Sequence, residues 1–126
     1  IALMPGSRLP AYCTSMGRVL LAALPEDQAR AILGSSPLPA RTETTMTDPL
    51  AIMDELSRVQ AQGYALINQE VEHGLQSMAL PLRNARGKVI AAINVGVPGT
   101  DDPDLLPKRF LAQLQGLQSE LCLQLP

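Results

Sequence analysis

The sequence predicts an α+β domain built on a mainly antiparallel sheet. Apolar residues recur at helical spacing before Gly63 and at strand alternation after it, and the later strand candidates follow one another too closely for crossover helices. A third observation bounds the size: 126 residues, 46% hydrophobic and 17% charged, suit one core and one domain over residues 1–126.

The elements follow in order. Ile1 to Met4 is strand-like at most, and Pro5-Gly6-Ser7 with Pro10 turns the chain into a loop. From Thr14, the expected N-cap, an apolar helix runs to Pro25, which then opens a second helix, Glu26 to Leu33, stopped by Gly34. Pro37 and Pro39 hold an extended connection, and Thr42 to Thr47 is short and β-prone or irregular. Thr47 or Asp48 caps the next helix, Ile52, Leu56 and Val59 mark its buried face, and Gly63 closes it. Tyr64 to Ile67 reads as a strand and Glu70 to Gly74 as a polar connection. Ser77 to Leu82 and Val89 to Val95 form a hairpin about Asn84-Ala85-Arg86-Gly87, and Pro81, without an N–H, requires an edge or bulge near it. After a connector from Pro98 to Pro107, Phe110, Leu114, Leu117, Leu121 and Leu125 predict a last helix with one apolar stripe. So few strands make a sparse sheet, and a chain opening on Ile1 reads as N-terminally truncated.

Composition narrows function. Ten Lys and Arg against twelve Asp and Glu leave a net charge of -2, a poor field for holding DNA or an anionic membrane directly. Only Tyr12, Tyr64 and Phe110 are aromatic, too few for a stacking platform, and the longest apolar run, Val19 to Leu24, is far too short to span a bilayer. No secretory signal opens the sequence, and Cys13 and Cys122 match no zinc spacing, so reduced thiols in a cytoplasmic protein are expected, with no metal and no cofactor.

Catalytic chemistry has little to work with. A small hydrolase would need Cys13 beside His73, the only histidine, which sits in a polar loop, and Glu70 with Glu72 is a spacing that an alternating polar loop produces by chance. No catalytic residue is assigned. The informative stretch is Pro10 to Gly17, where a loop enters an apolar helix. The first N–H groups of such a helix have no intrahelical acceptor, and the dipole favours a carboxylate there. Thr14 and Ser15 add hydroxyls, Met16 adaptable apolar contact, and Gly17 allows close packing; a plain N-cap on a core helix accounts for the same residues. Ser77 and Asn94 are polar residues inside apolar runs, and each either bonds nearby backbone or faces a ligand. Alternation puts Ser77 on a face with Ala79, and Asn94 with Gly96. Convergence of Ser15, Ser77 and Asn94 would make a small-molecule site.

The stretches from Gly6 to Pro25 and from Gln62 to Pro98 resemble the effector-binding domain of the IclR family of bacterial transcription factors. The resemblance is carried by the Pro10 to Gly17 helix entry, Arg41-Thr42 with Thr44-Thr45, Gly63-Tyr64-Ala65, Glu70 before Gly74, and the hairpin. Pro10 to Ala22 is similar to the subgroup regulating protocatechuate, 4-hydroxybenzoate and β-ketoadipate catabolism. The resemblance implies a GAF-like α+β domain whose curved antiparallel sheet and Thr14 helix enclose a small organic acid. Ligand-contacting positions then fall on Ser15 and Met16, beside Thr14, on Ile67, on Leu75 and Ser77, and on Asn94 and Gly96. Ile67 and Gly96 depart from the polar side chains of some relatives, which implies a larger, more apolar pocket. It also implies homodimers or homotetramers, and operator DNA bound only through a winged helix-turn-helix domain that this chain does not contain. Two further expectations stand beside the sensor: that residues Pro5 to Cys13 close differently with ligand, and that the last helix serves an oligomerisation module.

Overall fold

A computed structural model of the chain describes residues 4–126, so all but the end of the strand-like start, Ile1 to Met4, lies outside the described residues. A 3-10 turn, Ala11–Cys13, leads into α1, Ser15–Ala22, where Thr14 caps as expected: its Oγ1 accepts the Gly17 N–H at 3.2 Å. α2, Glu26–Gly34, follows with Pro25 at its N-cap, and Glu26 and Asp27 place negative charge against the positive end of the helix dipole. Between α2 and α3 the chain is irregular, with no strand. α3, Pro49–Gln62, begins where Asp48 accepts the Leu50 N–H at 3.1 Å and ends at Gly63, whose φ of 86° is the left-handed geometry that glycine adopts without a Cβ penalty.

Three antiparallel strands follow in the order β1-β2-β3: Ala65–Asn68, Leu75–Arg83 and Val89–Pro98. The hairpin pairing continues past the predicted ends, to Leu75 opposite Pro98, and the Gly99 N–H donates to the Gly74 carbonyl at 2.8 Å. β2 is central, yet Pro81 lies beyond the Ala65–Ala79 pair that ends β1 pairing. Among the described residues β2 has only β3 beside it at that point, and a register irregularity follows at Leu82/Arg83, so the missing N–H falls where an edge tolerates it.

Each sheet face has its own core. Ala65 and Ala79 pack with Tyr12, Cys13, Val19, Leu21, Ile52, Leu56 and Val59 from the 3-10 turn, α1 and α3. Ile52 is fully buried, and a side chain of that kind contributes about 1.5–3 kcal/mol by leaving water. The Gln60 amide donates to the Ala22 carbonyl, tying α3 to the end of α1. On the opposite face Met78 and Leu80 meet Leu106, Phe110 and Leu114 of α4, Leu105–Cys122.

The predicted α4 stripe needs correction at two positions: Leu125 lies beyond the helix, which ends at Cys122, and Leu117 turns outward. Leu106 and Leu114 are buried and Phe110 half-buried, but Leu117 is 50% exposed. A spacing of four residues keeps the contact line from Leu106 through Phe110 and Leu114 to Gln118, whose amide donates to the Pro81 carbonyl at 2.8 Å. A step of three from Leu114 rotates Leu117 out of that line.

Candidate functional site

Register puts the predicted sheet residues on one face. Ile67, Ser77 and Gly96 are partners in a single row across β1, β2 and β3, and Ala65, Ala79 and Asn94 form the next. Cross-strand partners share a face, and Ala65 and Ala79 belong to the core that α1 covers, so Ile67, Leu75, Ser77, Asn94 and Gly96 all face the α1 side. Ile67 is buried, Leu75 and Ser77 are half-buried, and Asn94 and Gly96 are exposed. The run around Asn94 is apolar because the alternate residues Ile93 and Val95 pack towards α4, and of the two expectations for Asn94 bonding to nearby backbone is not met.

The first turn of α1 is tied to the same end of the sheet. Arg18, one turn beyond Ser15, donates from Nη1 and Nη2 to Glu70 Oε2 and Oε1 at 2.8 and 2.7 Å, and Glu70 follows closely after β1. Thr14 and Ser15 are buried and Met16 half-buried. The Thr14 hydroxyl is committed, donating to the Pro10 carbonyl at 2.9 Å while capping Gly17, so Thr14 shapes the helix entry and has no proton left to give a ligand. The side chains of Ser15, Ser77 and Asn94 make no hydrogen bond with the described residues. The Ser15 and Met16 N–H groups are the first of the helix and lack intrahelical acceptors. Ser77 and Asn94 thus present open hydroxyl and amide groups on the same sheet face as apolar Ile67 and Leu75, while Ser15 and the first N–H groups stand at the α1 entry beside Met16.

Gly17 sets how closely this helix entry packs. A Cβ placed there would lie 2.4 Å from the Ala11 Cα and carbonyl oxygen and 2.5 Å from Thr14 Oγ1. A separate open groove of about 880 Å³ runs along the other side of α1, lined by residues that include Leu20, Pro25, Ile32, Val59 and Lys88. None of the eight predicted ligand positions lines it.

Sequence reasoning missed Arg18 and Glu70. Glu70 sits in a stretch that reads as a polar connection, yet it is 7% exposed and Arg18 only 1%. Nor do the repeated threonines reveal their role in the sequence. Thr42 and Thr44 donate from Oγ1 to the Gln69 carbonyl at 2.5 and 2.9 Å, and Thr45 Oγ1 donates to the Glu70 carbonyl at 2.6 Å. Gln69 itself stands at φ 60°, a strained conformation for a residue with a Cβ, held by its side chain accepting the Gly74 N–H at 2.9 Å.

Cys13 is wholly buried and His73 exposed. Burial pushes the Cys13 thiol above its ordinary 9.0, against smaller opposing effects led by Arg41, which disfavours the thiolate that a nucleophilic cysteine needs. Burial likewise raises Tyr12, against the Arg41 guanidinium beside it. Both neutral forms are thus favoured by folding. Above about pH 9 the unfolded chain loses protons first, so this stability is complete below that pH and declines as pH rises through the folded values. Thermal melts are expected to fall from about pH 9 upward, with Cys13→Ala flattening the first part of the decline; a melt independent of pH up to 11 would contradict it.

Among the described residues no group of three or more His, Cys, Asp or Glu is placed to hold a metal, and no helix is long and apolar enough to cross a membrane.

The bacterial transcriptional regulator IclR C-terminal family model matches residues 1–115. The chain belongs to the IclR C-terminal family. The chain is similar to the Pca regulon regulatory protein of Pseudomonas putida, 44% identical over 126 residues, or 99% of this chain and 43% of that protein. The p-hydroxybenzoate hydroxylase transcriptional activator of Acinetobacter baylyi is 34% identical over 92% of this chain and 43% of its own length. Among solved structures, the inducer-binding domain of a PobR transcription factor double mutant from Acinetobacter, in complex with 3-hydroxybenzoic acid, superposes with a TM-score of 0.86 at 33% identity. That match covers 92% of this chain and 67% of the solved one. The chain spans less than half the length of these two curated relatives. The α+β, mainly antiparallel expectation is met by the three strands and four helices, and the family is one of transcriptional regulators rather than a class of enzymes.

Proposed function

We propose that this chain is the ligand-sensing part of a bacterial transcription factor, and that it binds a small aromatic or dicarboxylic acid to control an operon for aromatic catabolism. One observation carries the reading: free hydrogen-bonding groups on Ser15, Ser77 and Asn94 accompany the open N–H groups of the α1 entry, beside apolar Ile67, Leu75 and Met16. The carboxylate takes the α1 N–H groups and the Ser15 hydroxyl, where the dipole stabilises negative charge. The ring or chain lies along Ile67, Leu75 and Ser77, and Asn94 with Gly96 closes the β3 side. The names of the Pca and p-hydroxybenzoate relatives support the choice of pathway.

A sensor must bind one arrangement of the protein more tightly than the other, since equal affinity shifts nothing. Residues Pro5 to Leu9 are exposed while Tyr12 and Cys13 are buried, which supports this entry segment as the part that closes on ligand. Operator DNA is contacted through a winged helix-turn-helix domain outside this chain, in a cytoplasmic homodimer or homotetramer. Exposed Leu105 and Leu117 on α4 favour that self-association, and an oligomerisation module without a small effector remains the second reading.

Calorimetric titration with protocatechuate, 4-hydroxybenzoate and β-ketoadipate tests the sensor. Saturable binding of one acid is expected, and Ser15→Leu, by filling the entry, is expected to abolish it in a folded protein. The amide analogue of the bound acid is expected to bind about tenfold or more weakly, having lost its charge-assisted hydrogen bonds. Wild-type affinity in folded Ser15→Leu, or equal affinity for acid and amide, would reject this site.

A further inference from the structure

We infer that the buried Arg18–Glu70 pair is a positioning strut for the proposed effector site. It fixes how far the first turn of α1 stands from the Ile67–Ser77–Gly96 row, and with it the size of acid admitted. The inference rests on the reading of that site given above.

An ion pair this deeply buried is a poor device for stability alone, because desolvating two charges offsets their attraction and apolar replacements of similar volume are commonly neutral or better. Its connections point to geometry instead. Arg18 Nε donates to the Tyr12 carbonyl at 3.0 Å, so the guanidinium also holds the 3-10 turn that precedes α1. Glu70 Oε1 accepts the Met46 N–H at 2.8 Å along with the Arg18 proton, so the carboxylate also holds the loop before α3. Thr45 fastens that loop a second time through the Glu70 carbonyl, and its Oγ1 accepts the Arg41 and Thr42 N–H groups at 3.0 and 2.8 Å. The 3-10 turn with α1, the loop before α3 and the end of β1 thus meet at one salt bridge.

Each end of the strut carries part of the site. Ser15 lies one helical turn before Arg18, so a shift of Arg18 moves the carboxylate-binding end of α1 with it. Glu70 lies just past the end of β1, separated from Ile67 only by Asn68 and the strained Gln69. Bidentate pairing of a planar guanidinium with a carboxylate fixes orientation as well as distance, which a single point charge does not. Because the two charges cancel, the strut adds no net charge to the site.

The test replaces the strut in the full-length protein with apolar side chains, Arg18→Met together with Glu70→Leu, and reads affinity for 4-hydroxybenzoate against acetate by calorimetry. The expected result is a folded protein whose thermal midpoint falls less than that of Glu70→Ala, the Met46 N–H and Tyr12 carbonyl having lost their partners but no charge being left buried alone, with about a tenfold or greater loss for 4-hydroxybenzoate that narrows its preference over acetate. A merely structural pair would leave that preference unmoved once the protein is folded. If the double variant does not fold, Thr45→Val detaches the loop from the Glu70 carbonyl without touching either charge, and a smaller narrowing of the same preference is expected. An unchanged preference in a folded variant would overturn the strut. Failure of the wild-type protein to bind any of the acids would overturn the site reading, and the strut with it.

Discussion

Replacing Glu70 alone with Ala is expected to destabilise the protein by about 3–5 kcal/mol, because it leaves the Arg18 guanidinium buried at 1% exposure without its counter-charge. The Met46 N–H loses its acceptor in the same step. For a chain of this size the loss corresponds to a fall in melting temperature of roughly 10–20 °C. Arg18→Ala is expected to be comparably severe, since it leaves the carboxylate unpaired and frees the Tyr12 carbonyl. The two changes act on one interaction, so combining them must cost clearly less than their sum. Thermal or urea melts of both single variants and the double provide the check. A loss below about 1 kcal/mol for Glu70→Ala, the range of exposed pairs, would show that water reaches this bridge in solution.

The second large effect belongs to Gly17. Adding one methyl there, Gly17→Ala, is expected to cost about 3 kcal/mol, at the upper end for overpacking, because the new carbon meets backbone atoms of Ala11 at 2.4 Å. A flexible side-chain end could yield, but the 3-10 turn cannot move without disturbing buried Tyr12 and Cys13, and Tyr12 is itself anchored by donating to the Pro39 carbonyl at 2.5 Å. Gly116 in the interior of α4 is the control, since a Cβ there meets nothing within 4 Å. Gly116→Ala is accordingly expected to stabilise by about 0.5–1 kcal/mol through helix propensity. If both substitutions shift the urea midpoint alike, the close approach of α1 to the turn is not what makes position 17 glycine.

Much of the fold was legible because its determinants are local. Thr14, Pro25, Asp48 and Gly63 mark helix ends through bonds and dihedral angles within a few residues of themselves, and the Asn84 to Gly87 turn fixes the hairpin register in the same way. Alternation then placed Ser77 with Ala79, and Asn94 with Gly96, as the register has them. The errors arose where burial depends on what lies opposite. Leu117 fits a helical stripe by spacing but points away from β2. Glu70 looked like a solvated loop residue because its partner, Arg18, lies far away along the chain.

Motifs of the sequence carry the family resemblance, and by itself the sequence determined the element order and the antiparallel sheet. These follow from short-range sterics, capping and periodicity, which act on neighbours along the chain. Only the tertiary structure decided that Arg18 and Glu70 are buried together, that three threonines bind the end of β1, and that the Thr14 hydroxyl is used up as a cap while Ser15 stays free. Desolvation is the reason: whether a polar side chain is paired or open to a ligand depends on which distant segment excludes water from it, and spacing along the chain does not carry that information.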